Sequence, residues 1–173
     1  MRDKTRRERY DKKKATAITF PIDIVCINFQ HDGNLGYLIR SAACFGASRV
    51  HVIGTVPPRS ILDPLSGSLY DYVKIKQHSS PMAFLDYVRD KEIGLISAEI
   101  CTSYKFNFSG PVALVVGNEE IGIPIEILKN SKKIHIPMPG IGYCLNTSQT
   151  ANIILYEAVK QYQTQKEHEA KQQ

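Results

Sequence analysis

Val112-Ala-Leu-Val-Val116 runs directly into Gly117-Asn-Glu119-Glu-Ile-Gly122. Five apolar residues without alternation are the pattern of a strand covered on both faces, as in a parallel sheet. The glycines that follow allow a tight turn and a close approach of backbone to a ligand. The rest of the chain reads in the same alternating way. Pro21–Phe29 predicts a strand, and His31–Asn34 a turn. Leu35, Leu38, Ile39, Ala42 and Ala43 then fall at helical spacing, with Gly46 suited to the helix end. Arg49–Gly54 predicts a second strand and Ser60–Leu69 a short helix. Tyr72–Lys76, Ile93–Ala98 and Lys133–Ile136 predict further strands. Pro81–Asp90 and Pro124–Asn130 predict helices that begin at proline. Ser103–Gly110 predicts a loop. A last helix from about Asn146 carries Ala151, Ile154, Leu155, Ala158, Val159 and Tyr162 on one face. Strand-helix alternation of this kind gives an α/β fold with a mostly parallel sheet flanked by helices.

In such sheets ligands sit beyond the carboxyl ends of the strands. Three polar, glycine-punctuated blocks occupy those positions: Asn34–Arg40, Gly117–Gly122 and Ile136–Ser148. They are therefore expected to share one site. Asn34, at a helix start, could simply cap free N–H groups. Arg40 has apolar helical neighbours and needs an anion, an acidic partner or a route to water. Glu119 is a candidate partner for it. The Gly117 block lacks both the dinucleotide and the P-loop fingerprint. The third block places two prolines and two glycines within seven residues, more than a helix start capped by Thr147 or Ser148 requires. It reads as a loop shaped around a ligand or another segment. Cys144 within it has only His135 nearby in sequence and reads as a small packing residue, not a nucleophile.

The 173 residues suit one domain, with no internal repeat. The expected boundaries are a basic arm over 1–20, a core domain over 21–162 and a polar tail over 163–173 that frays. Residues 1–14 hold eight cations against three acids, which equals the whole formal net charge of +5. Phosphate-backbone contact and a merely solvated tail are equally good readings of that charge. No apolar run reaches membrane-spanning length, and the basic start lacks the apolar stretch of a secretory signal. Four separated cysteines without a Cys-x-x-Cys pair fit a reducing, cytoplasmic setting. The five histidines are scattered, and no metal site is expected.

The blocks Asp32–Gly46, Leu114–Gly122 and Ile136–Ser148, in this order, resemble the three motifs of the SpoU/TrmH family of RNA 2′-O-ribose methyltransferases, within the SPOUT superfamily. The resemblance covers about Ile24 to Val159. It implies a C-terminal trefoil knot, which periodicity does not reveal since knots are almost absent from proteins. It implies S-adenosyl-L-methionine held largely by main-chain groups. By matching position those belong to Gly117, Ile136, Cys144 and Leu145, with Ser97 from the preceding strand. It implies a homodimer with the active site near its interface. Asn34, Arg40, Glu119 and Asn146 match the family's catalytic set. Cys144 stands where the family commonly has Ser; Ser148 is a partial replacement at a different spacing.

The implied reaction moves a methyl group to a ribose 2′-hydroxyl, with tRNA the first substrate expectation and rRNA the alternative. The matching arginine has been proposed as the base in this family. A guanidinium holds its proton across physiological pH, which makes a phosphate clamp the better role for Arg40. The basic arm then gains weight as an RNA contact. A catalytically silent RNA-binding relative is disfavoured by the intact set of four. An unrelated nucleotide-binding α/β domain is disfavoured by the missing fingerprints.

Overall fold

The computed structural model describes residues 5–99 and 106–172. Its helices are α1 (Arg6–Lys14), α2 (Asp32–Phe45), α3 (Arg59–Leu65), α4 (Pro81–Asp90), α5 (Ile125–Lys129) and α6 (Thr147–Gln172). Its strands are β1 (Phe20–Ile27), β2 (Ala47–Ile53), β3 (Ile75–His78), β4 (Gly94–Ala98), β5 (Val112–Val116) and β6 (Lys132–Ile134). The six strands form one sheet in the order β3-β2-β1-β5-β4-β6. Every neighbouring pair is parallel.

β1 and β5 lie at the centre, and alternate residues feed two separate cores. Ile22, Ile24 and Cys26 join Val112, Leu114 and Val116 beneath α2 and α6. Val25, Ile27, Ala113 and Val115 join Phe84, Leu85 and Ile127 beneath α4 and α5. The unbroken apolar run of β5 is thus explained: all five residues are buried, on two faces. α2 ends at Gly46, whose φ of 71° is left-handed and whose N–H reaches Ala42 O. A Cβ there would lie 2.2 Å from the Ile18 carbonyl oxygen, so only glycine fits.

Three elements differ from expectation. The stretch Tyr70–Tyr72 is a 3-10 turn, and β3 begins only at Ile75. The basic segment contains a helix, α1, closed by a Thr5–Glu8 capping box. It buries no residue, so no apolar stripe announces it. The C-terminal segment does not break at Gln163. Its glutamines are used as backbone partners: Gln161 accepts from the Phe108 N–H at 3.0 Å and donates to Phe106 O, and Gln165 donates to Phe108 O. The expected loop Ser103–Gly110 lies partly outside the described residues, as does Cys101. The sheet also joins two histidines that are far apart in sequence. Parallel register sets His51 opposite Lys76, which puts His78 on the same face two residues on.

Candidate active site

The loops after β1 and β5 are tied together first. Asn118 donates through Nδ2 to the Asn28 carbonyl at 2.7 Å. Its Oδ1 accepts from the N–H groups of Glu120 and Ile121. Its backbone pairs in both directions with Gly122. Gly117 is required by the resulting closeness, since a Cβ would come within 2.8 Å of the Gly122 carbonyl carbon. The expected close approach at this glycine is therefore to the loop itself. Sequence reading passed over Asn118. The available signal was an Asn placed after the strand to receive the next two N–H groups, an Asx turn.

Glu119 stands on this hydrogen-bonded loop. The Gln30 N–H reaches its Oε2 at 3.0 Å, and the Asn34 amide nitrogen donates to its Oε1. Partial burial opposes ionisation of the carboxyl. The donors from Gln30, Asn34, its own backbone and His31 outweigh that and hold it below the usual glutamate range. Asn34 does not cap α2; no side chain caps that helix at His31. Its amide instead spans two partners, because its Oδ1 accepts from Asn146 Nδ2 at 3.0 Å. Asn146 Oδ1 in turn accepts from the Ser148 N–H and hydroxyl, which makes Asn146 the cap of α6. Thr147 Oγ1 donates to Gly117 O at 2.9 Å. The three blocks thus meet in one hydrogen-bonded chain, Glu119–Asn34–Asn146–Ser148.

Beside that chain, at the carboxyl ends of β4, β5 and β6, is a cavity of about 420 Å³. Gly117, Glu119, Ile136, Cys144, Leu145 and Asn146 all line it. Ser97 does not. Its side chain is fully buried and shares a 2.7 Å hydrogen bond with Ser131. Cys144 is exposed on the wall, not packed, because the loop around it stands clear of the sheet: Ile141 is 99% and Tyr143 90% exposed. Ser148 is buried and its hydroxyl is directed at Asn146, so it does not replace a hydroxyl at position 144. Arg40 is exposed on α2, lines no part of the cavity, and rests against Gly67. Glu119 does not neutralise it; the carboxylate is taken up by Gln30 and Asn34.

Residues 21–156 match the SpoU rRNA methylase family. The chain belongs to that family. It is 32% identical over 148 residues to a 23S rRNA (uridine(2479)-2′-O)-methyltransferase of Streptomyces viridochromogenes, a match over 75% of this chain and 49% of that enzyme. It is 27% identical over 161 residues to a tRNA (guanosine(18)-2′-O)-methyltransferase of Aquifex aeolicus, over 90% of this chain and 74% of that enzyme. The crystal structure of the SpoU methyltransferase AviRb from Streptomyces viridochromogenes, in complex with AdoMet, superposes with a TM-score of 0.75. That likeness has 26% identity over 82% of this chain and 60% of the other. This SpoU chain therefore spans about half the length of the first of these relatives. The family match opens one residue into β1 and closes inside α6. Helix α1 and the end of α6 lie outside it.

The cavity of this SpoU chain falls within the size range of small-molecule sites. Its wall combines apolar side chains such as Ile123, Ile134 and Met138 with the polar edges of Glu119, Asn146 and Thr147. Among the described residues, no group of His, Cys, Asp and Glu is arranged to hold a metal ion. No described helix is long and apolar enough to cross a membrane.

Proposed function

We propose that this chain transfers a methyl group from S-adenosyl-L-methionine to a ribose 2′-hydroxyl of RNA. The observation that carries this is the Glu119–Asn34–Asn146 chain standing at the rim of a cavity built from the family's own matching loops.

The residues present suit the methyl donor. Apolar walls and main-chain groups at Gly117, Ile136, Cys144 and Leu145 can take its adenine and ribose, and an ionised Glu119 favours a cationic ligand. When bound, the donor supplies a methyl group on a positively charged sulfur. The chain's part is to place the hydroxyl in line with it, where positioning contributes most. Asn34 and Asn146 fix one another's orientation. Arg40, exposed on α2, holds an RNA phosphate. A phosphate oxygen or water would take the hydroxyl proton as the oxygen accepts the methyl group.

tRNA is the preferred substrate. In support, the tRNA relative is matched over a larger share of its length than the rRNA relative. rRNA is the second reading. Arg40 lies away from the cavity wall of its own chain, which supports a homodimer whose second copy completes the site. Exposed Ile153 and Tyr156 on α6 supply apolar surface for it. The trefoil knot and a cytoplasmic location belong to the same reading.

Mass spectrometry of ribose-methylated nucleosides, after incubating the protein and S-adenosyl-L-methionine with unmodified tRNA and rRNA, tests it. A new 2′-O-methyl nucleoside in tRNA is expected. No methylation of either RNA despite cofactor binding would overturn the activity. For Arg40, the Lys and Ala variants should lose RNA affinity in step with turnover. A collapsed rate with intact affinity and an altered pH profile would refute the clamp.

A further inference from the structure

Helix α1 is docked, and its docking divides its charges into two faces. Arg7, Tyr10, Asp11 and Lys14 fall at spacings of three and four, one face of a helix. All four engage the body. Arg7 pairs with Asp71, which also holds Arg59 in a two-pronged contact. The Tyr10 hydroxyl donates to Gly67 O at 3.2 Å. The Tyr72 hydroxyl donates to Asp11 at 2.6 Å, and Lys14 lies over the Tyr72 ring. Tyr10 and Tyr72 meet edge to face. Arg6, Arg9 and Lys13 make up the opposite face, with Lys12 beside them. None of these four has an acidic partner among the described residues. All are exposed.

Gly67 also fixes where this helix lies. It receives Tyr10 on its carbonyl, while the Arg40 guanidinium lies about 3.6 Å from where a Cβ on Gly67 would stand. A single residue therefore separates the docked helix from Arg40. We infer that the outer face of α1, Arg6, Arg9, Lys12 and Lys13, is a positioned RNA-backbone contact that extends the Arg40 site. The inference rests on the reading of RNA as substrate. The partner is a run of phosphates: four exposed cations without acidic partners at helical spacing suit a polyanion, and the helix that carries them docks on the residue beside Arg40.

A positioned face differs from a basic tail that merely adds charge, and the two respond oppositely to one variant. Asp71→Asn removes the anchor of Arg7 and raises the net charge by one. A tail acting by charge alone would bind RNA as well or better. A positioned face should lose about fivefold in kcat/KM despite the added charge. The charge-neutral pair Tyr10→Phe with Tyr72→Phe removes both hydroxyl tethers and should act the same way.

The experiment measures RNA affinity between low and high salt, and methyl transfer, on the full chain and these variants, with circular dichroism to confirm folding. The Arg6→Gln, Arg9→Gln, Lys13→Gln triple variant should flatten the salt slope by about two units, at roughly 0.7–0.9 for each phosphate no longer neutralised. An unchanged slope overturns the contact. Unchanged or improved kcat/KM in the docking variants overturns the positioning. A wild-type chain that transfers no methyl group but keeps an α1-dependent salt slope would defeat the proposed activity and leave this inference standing.

Discussion

Asn146 Nδ2 donates to Asn34 Oδ1 across 3.0 Å, joining residues 112 positions apart in sequence. Asn34 uses both ends of its amide within the site, accepting from Asn146 and donating to Glu119. Aspartate at position 34 keeps the acceptor, loses the donor and sets a carboxylate against a carboxylate. Asn34→Asp is expected to slow methyl transfer about 100-fold, as small misplacements of reacting groups do. The close pair should then share a proton, so part of the rate should return as pH falls toward about 5. Single-turnover rates from about pH 5 to 8 check this. Rates equal to wild type would remove Asn34 from the reacting geometry.

Glu119→Gln keeps the shape and removes the charge. The carboxyl is held below its usual range by its donors although burial works against it. A depressed folded-state value means that its contribution to stability is present above the ordinary glutamate range and is lost as pH falls through the folded value. The melting temperature of wild type should therefore drop relative to the Gln variant between about pH 5 and pH 3. Parallel melting curves across that window would contradict the assignment. S-adenosyl-L-methionine affinity should also weaken in the variant at neutral pH, because the cavity rim loses its negative charge.

A second pH effect belongs to the other side of the sheet. His51 Nε2 contacts Asp23 at 2.9 Å, and its Nδ1 meets His78 Nε2 at 2.8 Å. Phe84 and Tyr87 pack on the rings, and Lys76 and Arg49 lie close by. Burial, and then the charge of His51 and Lys76, push His78 down to about 4. A histidine with a depressed value takes up its proton on unfolding. Stability is thus full above the ordinary value near about 6.5 and declines as pH falls toward about 4. Urea unfolding should show a loss on the order of 2 kcal/mol between about pH 7 and pH 5. The loss should be much smaller in His78→Gln. Identical pH slopes for the two proteins would exclude His78 as its source.

The central strands and the helices over them were legible because each carries an apolar pattern, unbroken in the buried strand and periodic in the helices. β5 is wholly apolar, and α2 and α6 each show one apolar stripe. The meeting of the three blocks was legible because strand ends in an open parallel sheet converge, while Asn34, Glu119 and Asn146 within them were singled out by the resemblance to the SpoU/TrmH motifs. What escaped had no apolar signature. Helix α1 buries nothing and is held by Arg7, Tyr10 and Asp11, which read as a charge run until their spacing is seen against Asp71 and Tyr72. His51 and His78 meet only through the register of β2 and β3. Ser97 was named by its matching position in the family resemblance; its hydroxyl shares a hydrogen bond with Ser131, and it is not one of the residues lining the cavity.

The glycines of the second and third blocks are expected to fail differently, and the difference separates folding from ligand approach. Gly117 is required by the folded chain itself, since a Cβ would meet the Gly122 backbone at 2.8 Å. Gly117→Ala should therefore lower stability, by about 1–3 kcal/mol, whether or not a ligand is present. Gly140 and Gly142 have nothing within 4 Å of an added Cβ, and neither has a positive φ. Their alanine variants should stay within about 0.5 kcal/mol of wild type in urea unfolding. Calorimetric titration with S-adenosyl-L-methionine should nevertheless show weaker binding, by tenfold or more, if the Pro137–Gly142 backbone closes on the ligand. Two alanine variants with native stability and native affinity would leave the glycines of that loop without a ligand to explain them. The dimer would then be the remaining candidate for what the loop is shaped around, to be read from the oligomeric state of the same two variants.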